Sequence, residues 1–142
     1  DTELRQRVER ENLTDKVLFT GWIDQESMAD MLKSSYAFLA TNVESQTGDI
    51  DGIPNILKEA MAIGVPVIAF DHPGIAELIT HRKNGIIVPA KNVQQLAAAI
   101  EELNDDILRE QICASARKTI EDEYSKESQA QYLEQMIQER AN

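Results

Sequence analysis

The stretch DIDGIPNILKEAMAIGVPVIAFD, Asp49–Asp71, decides how this chain folds. An acidic, glycine-bearing loop runs into Pro54, and an amphipathic run follows as far as Ile63. Gly64 and Pro66 come next, and Val65 to Phe70 is apolar without a break. Proline just inside a helix start and glycine just past its end is the usual asymmetry of helix termini. A short, wholly apolar run after such a helix is what a strand covered on both faces requires. The segment therefore predicts strand–loop–helix–strand, with the helix over Pro54–Ile63. It can be a plain packing unit of an α/β domain, or a loop and helix N-terminus built for a phosphorylated, hydroxyl-rich ligand.

The same alternation extends in both directions. Upstream, Leu4, Val8 and Glu11 to Leu13 read as an amphipathic helix, and Val17–Thr20 as a short strand stopped by Gly21. Asp24 is an N-cap for a helix with Met28, Met31 and Leu32 on one face. Tyr36–Ala40 reads as a second strand, apolar and covered on both faces, and Thr41 to Ile53 as a polar loop. Downstream come a short helix over Ile75–Ile79, a strand over Gly85–Val88 and a helix over Val93–Leu103. Two more helices are expected over about 107–124 and 126–140. Strands alternating with helices imply a parallel, Rossmann-like sheet with helices on both faces, in a single α/β domain.

Composition narrows the partners. The chain has 142 residues, is 42% apolar and carries a formal net charge of −11. Nucleic acid and anionic membranes both call for clustered Lys and Arg, so this balance argues against either. No apolar run reaches the roughly 18–20 residues of a membrane helix. Asp1-Thr2-Glu3-Leu4 opens polar and acidic, unlike a signal peptide. A single cysteine, Cys113, fits a reducing compartment and reads as a small packed residue rather than a nucleophile.

The central loop and helix carry the candidate chemistry. Gly52 can take positive φ and let backbone approach a ligand. Behind Pro54, the amides of Asn55, Ile56 and Leu57 would point outward at the positive end of the helix dipole, a terminus suited to phosphate. Helical side chains lean toward the N-terminus, so Asn55 and Glu59, four apart, both aim back at the loop. A carboxylate there repels phosphate but accepts two hydroxyl hydrogen bonds, as from the vicinal diol of a ribose. The plain alternative pairs Glu59 with Lys58, Lys33 or solvent. Asp49-Ile50-Asp51 also has the form of an Asp-x-Asp metal site. His72, in Asp71-His72-Pro73-Gly74, reads as a loop residue near the site mouth, and His81 lacks a nucleophile or a second ligand at useful spacing. Ser45 and Thr47 read as loop capping residues, and Glu101–Asp106 as a solvated helix boundary. Tyr124, Tyr132, Leu133, Met136 and Ile137 read as core.

Asp51-Gly52-Ile53-Pro54, with Glu59 eight positions after Asp51 and Gly64-Val65-Pro66-Val67-Ile68-Ala69 behind it, resembles the donor-binding half of family 4 retaining glycosyltransferases of the GT-B fold. Gly74, Glu77 and Asn84-Gly85-Ile86-Ile87-Val88 continue the likeness, as do Val17-Leu18-Phe19-Thr20-Gly21 and Tyr36-Ala37 upstream. It spans about residues 4 to 120. The resemblance implies that Glu59 binds the ribose hydroxyls of a sugar nucleotide and Asp51 the hydroxyls of the transferred sugar. Gly52 and the backbone of Ile53, Pro54, Asn55, Ile56 and Leu57 would face the diphosphate and sugar, and Gly21-Trp22-Ile23 would border the base. It implies a UDP- or GDP-sugar donor, no cofactor, no metal, retention of anomeric configuration, and a departing phosphate that helps deprotonate the acceptor. The family usually has Glu where Asp51 stands.

The same resemblance implies an incomplete C-terminal half of a GT-B fold: residues 1–142 as a partial nucleotide-sugar-binding domain, with C-terminal helices about 105–142. Two central strands, a basic diphosphate clamp and the N-terminal acceptor-binding domain have no counterpart, so the chain alone is expected to be inactive. Val17–Thr20 is then expected to pair beside Tyr36–Ala40, to enter a strand-exchanged dimer, or to await strands from a longer chain. The insertion-like Thr47-Gly48-Asp49-Ile50 resembles the subgroup that builds surface polysaccharides, which implies a cytoplasmic site, peripheral to the inner membrane face through the missing half. The alternatives are a module that binds a nucleotide or sugar phosphate without transfer, and a metal-dependent Asp-x-Asp enzyme.

Overall fold

The computed structural model is described over residues 2–41 and 55–125. In chain order the elements are α1 (Thr2–Arg10), α2 (Gln25–Ser34), β1 (Phe38–Ala40), α3 (Asn55–Ile63), β2 (Val67–Phe70) and α4 (Pro73–Leu78). There follow β3 (Ile86–Val88), α5 (Val93–Glu102), α6 (Asp106–Thr119) and a π-helical turn over Ile120–Tyr124. The strands form one parallel sheet in the order β1-β2-β3, with Leu39 opposite Ile68 and Ile68 opposite Ile86.

Strand alternation splits the core into two. Val67 and Ala69 join Leu57, Ala60 and Met61 of α3, Ile75 and Leu78 of α4, and Leu32 of α2 on one face. Ile68 and Phe70, with Ile86 and Val88, meet Ala99 of α5, Leu103 at its C-cap and Ile112 of α6 on the other. This is the α/β sheet with helices on both faces that the alternation of elements implied.

Caps fix the helix ends. The Asp24 carboxylate accepts from the amide and the hydroxyl of Ser27, both at 2.9 Å, and both bonds hold its pKa below the usual carboxylate range. Asp105 accepts from Ile107 and Leu108 at the start of α6. At the end of α3, Gly64 has φ +89°, and the amides of Gly64 and Val65 return to Met61 and Ala60 in a Schellman motif. The Arg117 guanidinium fills the space a Cβ on Gly64 would need and donates to the Ile63 carbonyl at 2.8 Å. Fifty-four residues of separation hid that contact from any local pattern.

Two expectations fail. Val17–Thr20 forms no strand: no ladder partner faces it among the described residues, and Leu18 is 81% exposed. It does not pair beside β1. Phe19 lies under the Arg5 guanidinium, 4.4 Å from the ring centroid. The Tyr36–Ala40 run pairs only from Phe38 and is not covered on both faces, since β1 is an edge strand whose Leu39 is 38% exposed. The fourth predicted strand is real but shorter, Ile86–Val88, led in by a single bridge between His81 and Gly85. The expected helix over 126–140 lies outside the described residues.

Candidate functional site

Parallel topology gathers the candidate residues at one end of the sheet. β1, α3 and β2 form a crossover, so α3 runs against the strands and starts at their carboxyl edge. α4 connects β2 to β3 in the same way, which brings Asp71, His72 and Gly74 to that edge. α2 joins β1 through only three residues and packs Met28 and Leu32 on the core shared with α3, so it too runs back against the sheet. Its N-terminus, with Gly21-Trp22-Ile23 just ahead of the Asp24 cap, lies at the same edge. Carboxyl edges of open parallel sheets are where α/β proteins bind ligands.

Within α3 the side chains divide as the pattern requires. Leu57, Ala60 and Met61 are buried, Ile56 is half-buried against the same core, and Asn55 is exposed. Leu57 therefore offers a ligand its backbone only. Glu59 is half-buried one turn into the helix. Of the plain alternatives, neither lysine forms an ion pair with it among the described residues, which leaves solvent: Lys33 pairs with Asp30 at 2.9 Å, and the Lys58 ammonium sits 5.8 Å from the centroid of the Tyr124 ring. Helix geometry leaves the first amides of α3 without an intrahelical acceptor.

The turn ahead of α2 presents Trp22 at 88% exposure, with Ile23 half-buried and Gly21 at φ +65°. An indole so exposed beside that edge presents a flat apolar surface. His72 is the N-cap of α4; its Nδ1 accepts from the Gly74 amide at 3.3 Å, which leaves Nε2 as the other ring position. His81 Nδ1 accepts from the Ile87 amide, and its bridge to Gly85 places it at the start of β3, the other end of the sheet. Asn84 is buried and fully used, accepting from Thr80 and donating to Leu78 and Thr119, so this part of the motif is structural.

Asp49, Asp51, Gly52, Ile53 and Pro54, with Ser45 and Thr47, lie outside the described residues. Among the described residues no group of three or more His, Cys, Asp or Glu is placed to hold a metal. No helix among them is long and apolar enough to cross a membrane.

The family described as Glycosyl transferases group 1 matches residues 1–106. The chain belongs to that family. Among its relatives is the amylovoran biosynthesis glycosyltransferase AmsK of Erwinia amylovora, 31% identical over 144 residues, covering 99% of this chain and 35% of that protein. The C-terminal domain of a glycosyl transferase group 1 family protein, LpcC, from Francisella tularensis superposes with a TM-score of 0.74. That match is at 25% identity and covers 88% of this chain and 62% of the other. A TarM variant from S. aureus, crystallised with fondaparinux, alpha-GlcNAc-glycerol and UDP, gives a TM-score of 0.76 at 26% identity. It is covered over 25% of its length by 90% of this chain. The chain thus spans about a third of the length of the curated relatives it matches. Its fold is that of part of the Rossmann-like C-terminal half of a GT-B glycosyltransferase.

Proposed function

We propose that this chain is the donor-binding portion of a retaining family 4 glycosyltransferase that moves a sugar from UDP or GDP to a growing surface polysaccharide. The observation that carries the reading is the shared edge: the α3 N-terminus, the half-buried Glu59 and the Trp22 turn all stand at the carboxyl end of one parallel sheet. Glu59 takes the ribose diol. The amides of Ile53 and of Asn55 to Leu57 and the α3 dipole stabilise the diphosphate as it gains charge, in the manner of preorganised dipoles. Asp51 holds the hydroxyls of the transferred sugar, and Trp22 borders the base. UDP in the TarM crystals supports a nucleotide donor, and AmsK supports a biosynthetic setting. The work is cytoplasmic, and the acceptor is held by a domain outside this chain.

Glu59→Ala should weaken nucleotide binding by about 1–3 kcal/mol, the range for hydrogen bonds to a charged group. Titration calorimetry against UDP and GDP, with thermal unfolding as the fold control, measures it. Equal affinity of the unsubstituted chain for ribo- and 2′,3′-dideoxynucleotides would remove Glu59 from the ribose. Loss of binding in EDTA with recovery in Mn²⁺ would favour the Asp49/Asp51 metal reading instead.

A further inference from the structure

The opposite end of the sheet holds a cleft of about 360 Å³ that the donor reading does not use. It opens where β1 and β2 begin, and its walls include Lys33, Tyr36, Gly64, Arg109, Cys113 and Arg117. In a chain of net charge −11, three cations line this cleft, and among the described residues no carboxylate lines it. Arg109 and Arg117 stand two turns apart on α6, with Cys113 between them.

Two facts bear on whether these cations are spent. Helix C-termini, here those of α2 and α3, carry a partial negative charge that attracts cations. Arg117 answers this by donating one bond, to Ile63; Arg109 donates to Leu103 and lies 5.4 Å from the centroid of the Tyr36 ring. A guanidinium has five donors, so each keeps more to give. The carboxylates that pair with Lys33 and Arg109 are Asp30 and Asp106, 70% and 77% exposed outside the cleft. Exposed pairs of this kind contribute little and yield to a competing anion. The two termini and the exposed Asp30 and Asp106 offset much of that charge, and Arg117 keeps a guanidinium whose one bond, among the described residues, is to a backbone carbonyl.

We propose that this cleft binds a phosphoryl group, free or as a small phosphate monoester, with Arg109 and Arg117 as its planar donors and Lys33 as a point charge. The volume exceeds that of phosphate itself and leaves room for the organic part of an ester beside Tyr36. The site lies at the C-terminal end of α3, whereas the nucleotide edge uses its N-terminus.

Cys113 is the single cysteine and lines this cleft, so its alkylation reports this place alone. The experiment measures the rate of Cys113 modification by iodoacetamide in the 142-residue chain. It compares inorganic phosphate, glycerol 3-phosphate and vesicles containing phosphatidic acid with chloride at matched ionic strength. Phosphate or the soluble ester should slow modification several-fold and saturably. Lys33→Gln and Arg109→Gln should each weaken that protection, whereas Glu59→Ala, which tests the donor edge, should leave it intact. Lys33 is a surface residue whose replacement leaves the core alone, so a folding failure of Arg109→Gln does not remove the test. Protection by vesicles and the ester but not by phosphate assigns the same chemistry to a headgroup. Equal rates in every phosphoryl arm and in chloride, or protection lost in Glu59→Ala, would overturn the assignment.

Discussion

Val67–Phe70 and Val17–Thr20 read alike as short apolar runs, yet one is the most buried strand and the other is not a strand. All four residues of β2 are buried, with ladders on both sides and helices on both faces. In Val17–Thr20 only Phe19 is even half-buried. An apolar run states what a segment can become. Ladder partners and cover decide what it does become, because an unpaired backbone in a dry interior costs more than side-chain burial returns.

The sharpest way to break that comparison is to truncate one side chain in each run. Ile68→Ala should cost about 2–5 kcal/mol, the range for emptying a fully packed aliphatic site. Leu18→Ala should stay within about 0.5 kcal/mol, as surface changes do. Urea unfolding of both variants measures the gap. Similar losses at the two positions would mean that Val17–Thr20 is packed in solution.

Relatives about three times as long as this chain offer the next test. In a protein carrying the upstream strands that the family resemblance implies, Val17–Thr20 should gain a ladder. Its amides should then exchange slowly, and Leu18→Ala should become destabilising by about 1–3 kcal/mol, the value of burying a leucine. Fast exchange at Leu18 and Phe19 in that longer protein would show the segment to be a loop in its own right.

Much of this was legible in the residues. Gly64 ends α3 as expected, Asp24 caps α2, and the strand–helix alternation gives the parallel sheet with helices on both faces. Glu59's place one turn inside α3 followed from helical spacing alone. What stayed hidden was long-range. Nothing near Tyr36 in sequence says that β1 is an edge, and nothing near Gly64 says that Arg117 will arrive from α6 to cap the helix. The basic cleft was equally invisible, because its cations come from α2 and from α6, more than seventy residues on.

Gly64 carries a smaller effect into the well-packed half. At φ +89° a side chain is strained, and a Cβ there would also displace the Arg117 guanidinium. Left-handed backbone costs an L-residue about 1–2 kcal/mol, so Gly64→Ala should lose at least that. Arg117→Ala combined with Gly64→Ala separates the two causes: the strain persists in the double variant, and the clash does not. A neutral Gly64→Ala would mean that the turn relaxes and that the Schellman geometry is not required.

The smallest effect belongs to the exposed half, at the cap just past Val17–Thr20. Two hydrogen bonds from Ser27 stabilise the ionised Asp24 and lower its pKa on folding. A folded pKa below the unfolded value means that the contribution is present above the unfolded pKa and lost as pH falls through the folded one. Asp24→Ala should therefore lower the melting temperature slightly at neutral pH, with the deficit vanishing in acid. Asp24→Asn keeps a good capping oxygen without the charge, so it should melt close to the unsubstituted chain at neutral pH and lack the pH-dependent part. Thermal unfolding of the three proteins across the acidic range reads this out. An alanine deficit that persists undiminished in acid would show that the cap acts through something other than its carboxylate.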